Sequence, residues 1–179
     1  KKLLEESGWM DTDGDGYVDK DGQKLSINWL TYPTRLEQPK LAEYAQATLK
    51  DIGIDVQVNN TSDHRTFAEN GDFDVYVSST TTAPTGDPEY FFTSTVVGSK
   101  NYGKYQNDEV TKLTDKLHQT FDKDERGKLA VELQQDILDD DAFFFVSHLN
   151  MGIVTKSNVK GMAAHPCDYY EITADLDVE

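Results

Sequence analysis

Alternation between strand-like and helix-like segments in the first half of the chain is the feature that most constrains its fold. The segments Leu25–Tyr32, Ile54–Val58 and Phe73–Ser78 favour β-strands. The two intervening segments, Glu37–Ile52 and His64–Asn70, favour helices, the first of them with a clear apolar stripe. This order predicts an α/β fold with a mixed, mostly parallel sheet flanked by crossover helices.

The second half of the chain is predicted to be mainly helical. Short helices are expected around Pro88–Val96, and longer helices over Asp108–Phe121 and Asp124–Leu138. Two strands are expected at Ala142–His148 and Gly152–Thr155, ahead of an irregular tail. No low-complexity linker interrupts the sequence, so all 179 residues are predicted to form a single domain.

Helix ends supply further local predictions. Asp63 and Asp122 precede helical segments and are expected to serve as N-caps. Lys1–Ser7 is expected to be the end of a helix that Gly8 terminates. Because the chain opens in this helical pattern without an initiator methionine, we expect it to be a fragment of a longer chain.

Charge narrows the classes of partner. The chain carries 33 acidic and 17 basic residues, a net charge of −16, which disfavours nucleic acid and anionic lipid surfaces as partners. No apolar run approaches the roughly 20 residues that a membrane span needs. A single cysteine, Cys167, excludes an internal disulfide framework.

The segment Thr80–Phe92, TTTAPTGDPEYFF, follows the third predicted strand and is typical of a loop that contacts a ligand. The segment is rich in hydroxyl and carboxylate groups. The residues predicted to bind the ligand through them are Thr80, Thr81, Thr82, Thr85 and Asp87. Asp87 precedes Pro88 and can equally serve as a helix N-cap with proline at the first helical position. The segment has no nucleophile paired with a base and no phosphate cradle, so it favours binding over catalysis.

An acidic loop near the start of the chain has the spacing of a calcium-binding loop. Side chains of Asp11, Asp13, Asp15 and Asp19 and the carbonyl of Tyr17 are the candidate ligands of a structural calcium ion. The pattern lacks the glutamate expected at its twelfth position, which is glycine here. The alternative is an Asp/Gly turn hairpin without an ion.

Several segments together resemble one known family. These are GWMDTDGDGYVDKDG at 8–22, LAEYAQATLKDIGIDVQV at 41–58, GDFDVYVSS at 71–79, YQNDEVTKL at 105–113 and FDKDERGKLAVELQQDILDDDAFFFV at 121–146. In this order and spacing they are similar to the C-terminal lobe of family 5 extracellular solute-binding proteins, the substrate-capturing components of ABC importers for peptides, nickel and related ligands.

The resemblance implies a periplasmic-binding-protein-like lobe with a transport role rather than an enzymatic one. It also implies ABC permease subunits as partners, a monomer, no required cofactor, and a bacterial protein that is periplasmic or lipid-anchored at the cell surface. Peptide binders of the family commonly carry an aspartate three residues before the Asp-Pro pair, where this chain has Pro84. The resemblance therefore favours a nickel or other transition-metal chelate as ligand, with a short peptide as the alternative.

The segment HPCDYY, residues 165–170, is similar to a His-Pro segment of some nickel binders in which the histidine reaches the metal. His165 is accordingly the candidate transition-metal ligand, and imidazole is a good donor for divalent nickel. Tyr169 and Tyr170 are candidates for lining the ligand cleft. Two hypotheses of other classes are an enzyme using Cys167 with a histidine, and a calcium-dependent adhesion module built on the acidic loop.

Overall fold

The computed structural model describes residues 1–150, 152–164 and 172–179. Its contacts divide the chain into two compact units, Lys1–Ser79 and Thr80–Glu179. None of the described helices is long and apolar enough to cross a membrane.

The first unit opens with helix α1 (Lys2–Glu6) and a short antiparallel pair, β1 (Asp19–Lys20) and β2 (Gln23–Lys24). Its remaining elements are β3 (Ser26–Thr31), α2 (Glu37–Lys50), β4 (Asp55–Asn60), α3 (His64–Asn70) and β5 (Val75–Tyr76). The last three strands form a parallel sheet in the order β4-β3-β5, with α2 and α3 as the crossover connections. The predicted α/β class and parallel sheet are therefore confirmed.

Burial explains why β3 lies at the centre of this sheet. It pairs with β4 over six residues, from Ser26 opposite Asp55 to Thr31 opposite Asn60. Leu30 is fully buried. The pairing with β5 covers only two residues, and beyond it the Asp74 carboxylate accepts a hydrogen bond from the Asn28 N–H at 2.7 Å. The third predicted strand is thus present but shorter than its sequence pattern.

The second unit contains a short helix α4 (Glu89–Phe91), a π-helical turn (Phe92–Val96), α5 (Asp108–Gln119) and α6 (Lys123–Asp139). A short antiparallel pair, β6 (Val159–Lys160) and β7 (Asp177–Val178), follows. The buried cluster of this unit consists of Phe92, Val96, Val110, Leu117, Leu129, Ala130, Leu133 and Ile137. These residues recur at helical spacing, which is why the helical predictions for this half are confirmed.

Two local predictions are wrong. The segments 142–148 and 152–155 form no strand in the described backbone. A strand needs a partner ladder, whereas Phe143 and Phe145 here pack their rings on Phe91, with centroids 6.0 and 5.9 Å away. Phe144 between them is 89% exposed.

Of the two N-cap predictions, that for Asp122 is confirmed, and that for Asp63 is met in position but not in hydrogen bonding. Asp122 caps α6 as expected, because its Oδ1 accepts the N–H groups of Asp124 and Glu125 at 3.1 and 2.9 Å. Asp63 occupies the N-cap position of α3, but its carboxylate accepts the Thr66 hydroxyl at 2.7 Å instead of a backbone N–H.

Candidate functional site

Three residues separate the end of β5 from the Thr80–Asp87 loop, which ends directly before Pro88 and α4. A turn closes within it, where the Gly86 N–H donates to the Ala83 carbonyl at 3.0 Å. Gly86 has φ of +79°, a left-handed conformation that glycine adopts without strain. In chain order the loop thus follows a parallel strand, a position at which α/β folds often carry ligand-contacting residues.

The predicted threonine ligands have free hydrogen-bonding capacity. Among the described residues, the hydroxyls of Thr80, Thr81, Thr82 and Thr85 have no hydrogen-bond partner. Thr80 and Thr81 are half-buried, whereas Thr82 and Thr85 are exposed. Each hydroxyl can donate one hydrogen bond and accept others, so these threonines can form hydrogen bonds with the oxygens of a carboxylate or a metal chelate.

Asp87 is already engaged inside the protein. Its Oδ1 accepts the Glu89 N–H at 2.9 Å at the start of α4, although the N-cap position of this short helix is Pro88 and not Asp87 as the alternative predicted. Arg126 of α6 donates hydrogen bonds to both Asp87 oxygens, from Nη2 to Oδ1 at 2.7 Å and from Nε to Oδ2 at 3.0 Å. These Arg126 bonds hold the pKa of the Asp87 carboxyl below its ordinary value. Asp87 is therefore a structural anchor of the loop, and direct ligand contact by it stays a prediction.

Arg126 is the centre of a wider network. Its Nη2 also donates to Glu89 at 2.9 Å, and its Nη1 donates to the carbonyls of Leu117 and Thr120, each at 2.6 Å. His118 Nδ1 lies 2.6 Å from the other Glu89 oxygen. The hydrogen bond with His118, and then that with Arg126, lowers the pKa of the Glu89 carboxyl.

Sequence reasoning missed this network of Arg126, Glu89 and His118. One signal was present, because Arg126 lies near the amino end of α6, four residues after the Asp122 N-cap. A cation is disfavoured there by the helix dipole unless a tertiary partner compensates it.

The acidic loop brings together three of its predicted ligands. One carboxylate oxygen from each of Asp11, Asp13 and Asp15 lies within 4.8 Å of the others. Asp19 is not part of this group, since its oxygens accept the N–H and hydroxyl of Thr12 at 2.9 and 2.6 Å.

A lysine already pairs with one of these three carboxylates. The Lys24 ammonium contacts Asp15 at 2.5 Å and lies 4.3 Å from the centre of the Tyr17 ring. The hydrogen bond from Lys24 lowers the pKa of the Asp15 carboxyl. Backbone N–H groups satisfy several of the remaining oxygens, as in the hairpin alternative: Gly14 and Gly16 donate to Asp11, Asp15 donates to Asp13, and Tyr17 donates to Asp15.

His165, Tyr169 and Tyr170 lie outside the described residues, as does Cys167. Their predicted roles therefore remain predictions.

Comparison with known sequences decides the family. The sequence profile of bacterial extracellular solute-binding proteins, family 5 Middle, matches residues 1–103. The chain belongs to this family. The predicted resemblance is thereby confirmed.

Relatives of this family member include peptide and nickel binders. It is 30% identical to the oligopeptide-binding protein AppA of Bacillus subtilis over 178 residues, which are 96% of this chain and 33% of AppA. It is 26% identical to the nickel-binding protein NikA of Staphylococcus aureus over 168 residues, 92% of this chain and 34% of NikA. The chain thus spans about a third of the length of the curated relatives it matches.

Solved structures share the fold. The structure of AppA with a nonapeptide matches with a TM-score of 0.65 and 30% identity, over 78% of this chain and 29% of AppA. The nickel ABC transporter protein of Bacillus halodurans matches with a TM-score of 0.67 and 31% identity, over 78% of this chain and 30% of that protein. The periplasmic-binding-protein-like fold is therefore confirmed.

Proposed function

We propose that this family member is part of the substrate-binding component of an ABC importer, and that it captures a nickel or other transition-metal chelate. Membership in a family of solute-binding proteins is the observation that carries the proposed transport role. The role is one of binding and delivery, without catalysis. Its proposed partners are permease subunits, and its proposed place is the periplasm or, through a lipid anchor, the cell surface.

The chemistry of the Thr80–Asp87 loop supports a ligand rich in oxygen acceptors. Its four threonine hydroxyls have no partner among the described residues, and a chelating amino acid presents carboxylate oxygens that accept such hydrogen bonds. In this proposal His165 supplies an imidazole to the metal, while the threonines and the tyrosines Tyr169 and Tyr170 contact the organic part.

The metal preference has support from two relatives. One is the nickel ABC transporter protein of Bacillus halodurans, and the other is NikA of Staphylococcus aureus, whose structure is a complex with Ni(L-His)2. Pro84 stands where the resemblance places the aspartate of peptide binders.

A short peptide is the second candidate ligand. The similarity to AppA, whose structure holds a nonapeptide, favours it. A peptide would use the same threonine hydroxyls for its backbone carbonyls and carboxylate.

Calorimetry on the full-length protein tests these alternatives. Nickel chloride with two equivalents of L-histidine is titrated in one series, and a nonapeptide in a second. The proposal expects binding of the nickel–histidine complex, with a large loss of affinity in His165→Ala and none in the matched control His148→Ala. Binding of the nonapeptide alone would reverse the ligand assignment, and binding unchanged in His165→Ala would remove His165 from the site.

A further inference from the structure

Arg126 joins three separate pieces of the second unit through one side chain. It donates a two-point fork of hydrogen bonds to the Asp87 carboxylate, donates to the Glu89 carboxylate of α4, and donates to the carbonyls of Leu117 and Thr120 at the end of α5. The Arg126 side chain is only 14% exposed. The Asp87 side chain is 41% exposed, so solvent reaches this ion pair from the Asp87 side, and the pair contributes through its geometry as much as through its charge.

We infer that Arg126 is a positioning residue, which fixes the end of the Thr80–Asp87 loop in the shape that binds ligand. This inference rests on the proposed solute-binding function. Arg126 itself acts through Asp87 and has no need to touch the ligand.

Fork geometry makes this role specific to arginine. The planar guanidinium presents parallel N–H groups that match the two oxygens of a carboxylate, so it fixes orientation as well as distance. A lysine would retain the charge, but a single ammonium cannot hold both Asp87 oxygens and the two α5 carbonyls in the same arrangement.

The loop has little else to hold its end in place. Within the loop, the turn bond from Gly86 to Ala83 is the backbone hydrogen bond found among the described residues. The threonine hydroxyls of the loop make no hydrogen bond within the part of the chain that the structure describes. Without the fork, the loop samples shapes that cannot bind, and affinity falls in proportion to the fraction of competent molecules.

Two measurements on the full-length protein test the inference. The first is hydrogen exchange of the loop amides without ligand. The second is the Kd for nickel chloride with two equivalents of L-histidine, and in parallel for a nonapeptide. The variants are Arg126→Met, Arg126→Lys, Asp87→Asn and the double variant Asp87→Asn/Arg126→Met. Ile137→Val, a core change in the same helix, controls for lost stability, and Lys128→Met, on the exposed surface of α6, controls for lost charge.

We expect Arg126→Met to speed exchange at residues 85–89 and to weaken binding by about tenfold, as a tenfold fall in the competent fraction would. Arg126→Lys should recover only part of this loss. The double variant should bind no more weakly than Arg126→Met alone, because Arg126→Met already removes the contact that Asp87→Asn weakens. Both controls should keep the wild-type Kd.

The outcomes separate the inference from the proposed function. A wild-type protein that binds a probe, together with Arg126→Met of equal affinity, overturns the inference and leaves the function standing. Additive losses in the double variant also overturn it. A wild-type protein that binds neither probe contradicts the proposed ligands, and loop exchange then decides alone, since unchanged exchange in Arg126→Met refutes the positioning role.

Discussion

His64, the first residue of α3, lies between two tyrosines in the first unit. Its ring stacks on Tyr32 with centroids 4.0 Å apart, and its Nδ1 lies 2.6 Å from the Tyr76 hydroxyl. Burial, followed by the neighbouring positive charge of Arg65, lowers the pKa of His64, while Asp63 opposes the shift. The folded protein therefore favours the neutral imidazole.

The sign of the resulting pH dependence follows from linkage. Below about pH 6.5 the unfolded chain takes up the His64 proton more readily than the folded chain, so stability falls as the pH drops from 7 towards 5. We expect His64→Gln to flatten this part of the melting-temperature profile. The control is His148→Gln, at an exposed position. If both variants follow the wild-type profile, His64 does not contribute to it.

Lys24 gives a prediction for the acidic loop. Its ammonium neutralises Asp15 and so competes with any cation for the grouped carboxylates of Asp11, Asp13 and Asp15. We expect millimolar calcium to raise the melting temperature of Lys24→Met by a few degrees and that of the wild type by less, since weak extracellular calcium sites have Kd values of about 0.1 to 1 mM.

The matched control is Lys20→Met on the same hairpin, because the Lys20 ammonium binds the Ser7 carbonyl instead of a carboxylate. Melting temperatures that ignore both calcium and EDTA in every variant would leave the loop as a hairpin without an ion.

The amino-terminal ends of α3 and α6 give a prediction about the stability of these two helices. Asp122 accepts two backbone N–H groups at the start of α6, whereas the Asp63 side chain accepts the Thr66 hydroxyl and makes no cap hydrogen bond to the described backbone of α3. We expect Asp122→Ala to lower the free energy of unfolding by about 1 kcal/mol, the usual cost of a lost N-cap. Asp63→Ala should cost only a few tenths of that, about 0.3 kcal/mol, because no backbone donor is left unpaired. Urea unfolding measures both, and equal losses would show that cap geometry is not the cause.

The spacing of apolar residues along the sequence correctly predicted those helices and strands that depend mainly on their own residues. The helices α5 and α6 have apolar residues at helical spacing that become buried, while β3, β4 and α2 bury Leu30, Val56 and Ala42. The segment 142–148 has the composition of a strand, but composition does not supply a partner ladder, and ring packing on Phe91 takes its place.

The candidate site residues also divide into those that a local sequence pattern predicts and those that depend on tertiary packing. A Thr-rich loop after a strand could be recognised from its residue types, so the threonines of the Thr80–Asp87 loop were predicted. The grip of Arg126 on Asp87 joins positions 39 residues apart and depends on how α6 packs, which no local pattern encodes.

The prediction of a single domain implies that the whole molecule unfolds cooperatively, in one step. Each unit has buried residues of its own, and both tryptophans of the chain, Trp9 and Trp29, lie in Lys1–Ser79. Tryptophan fluorescence therefore reports on the first unit alone, while the far-ultraviolet circular dichroism signal comes from helices of both units. A single domain requires the two signals to change at the same temperature.

A core substitution in the second unit makes this test decisive. Leu133 on α6 is fully buried, and Leu133→Ala should cost about 2 to 5 kcal/mol through the lost side chain and the cavity. In one cooperative domain this loss must lower the midpoint of the tryptophan signal, although neither tryptophan belongs to the second unit. The control is Val131→Ala on the same helix, where the side chain is 67% exposed and little stability should be lost. A tryptophan midpoint that stays fixed in Leu133→Ala, while the circular dichroism curve splits into two steps, would contradict the single domain and show two that unfold separately, Lys1–Ser79 and Thr80–Glu179.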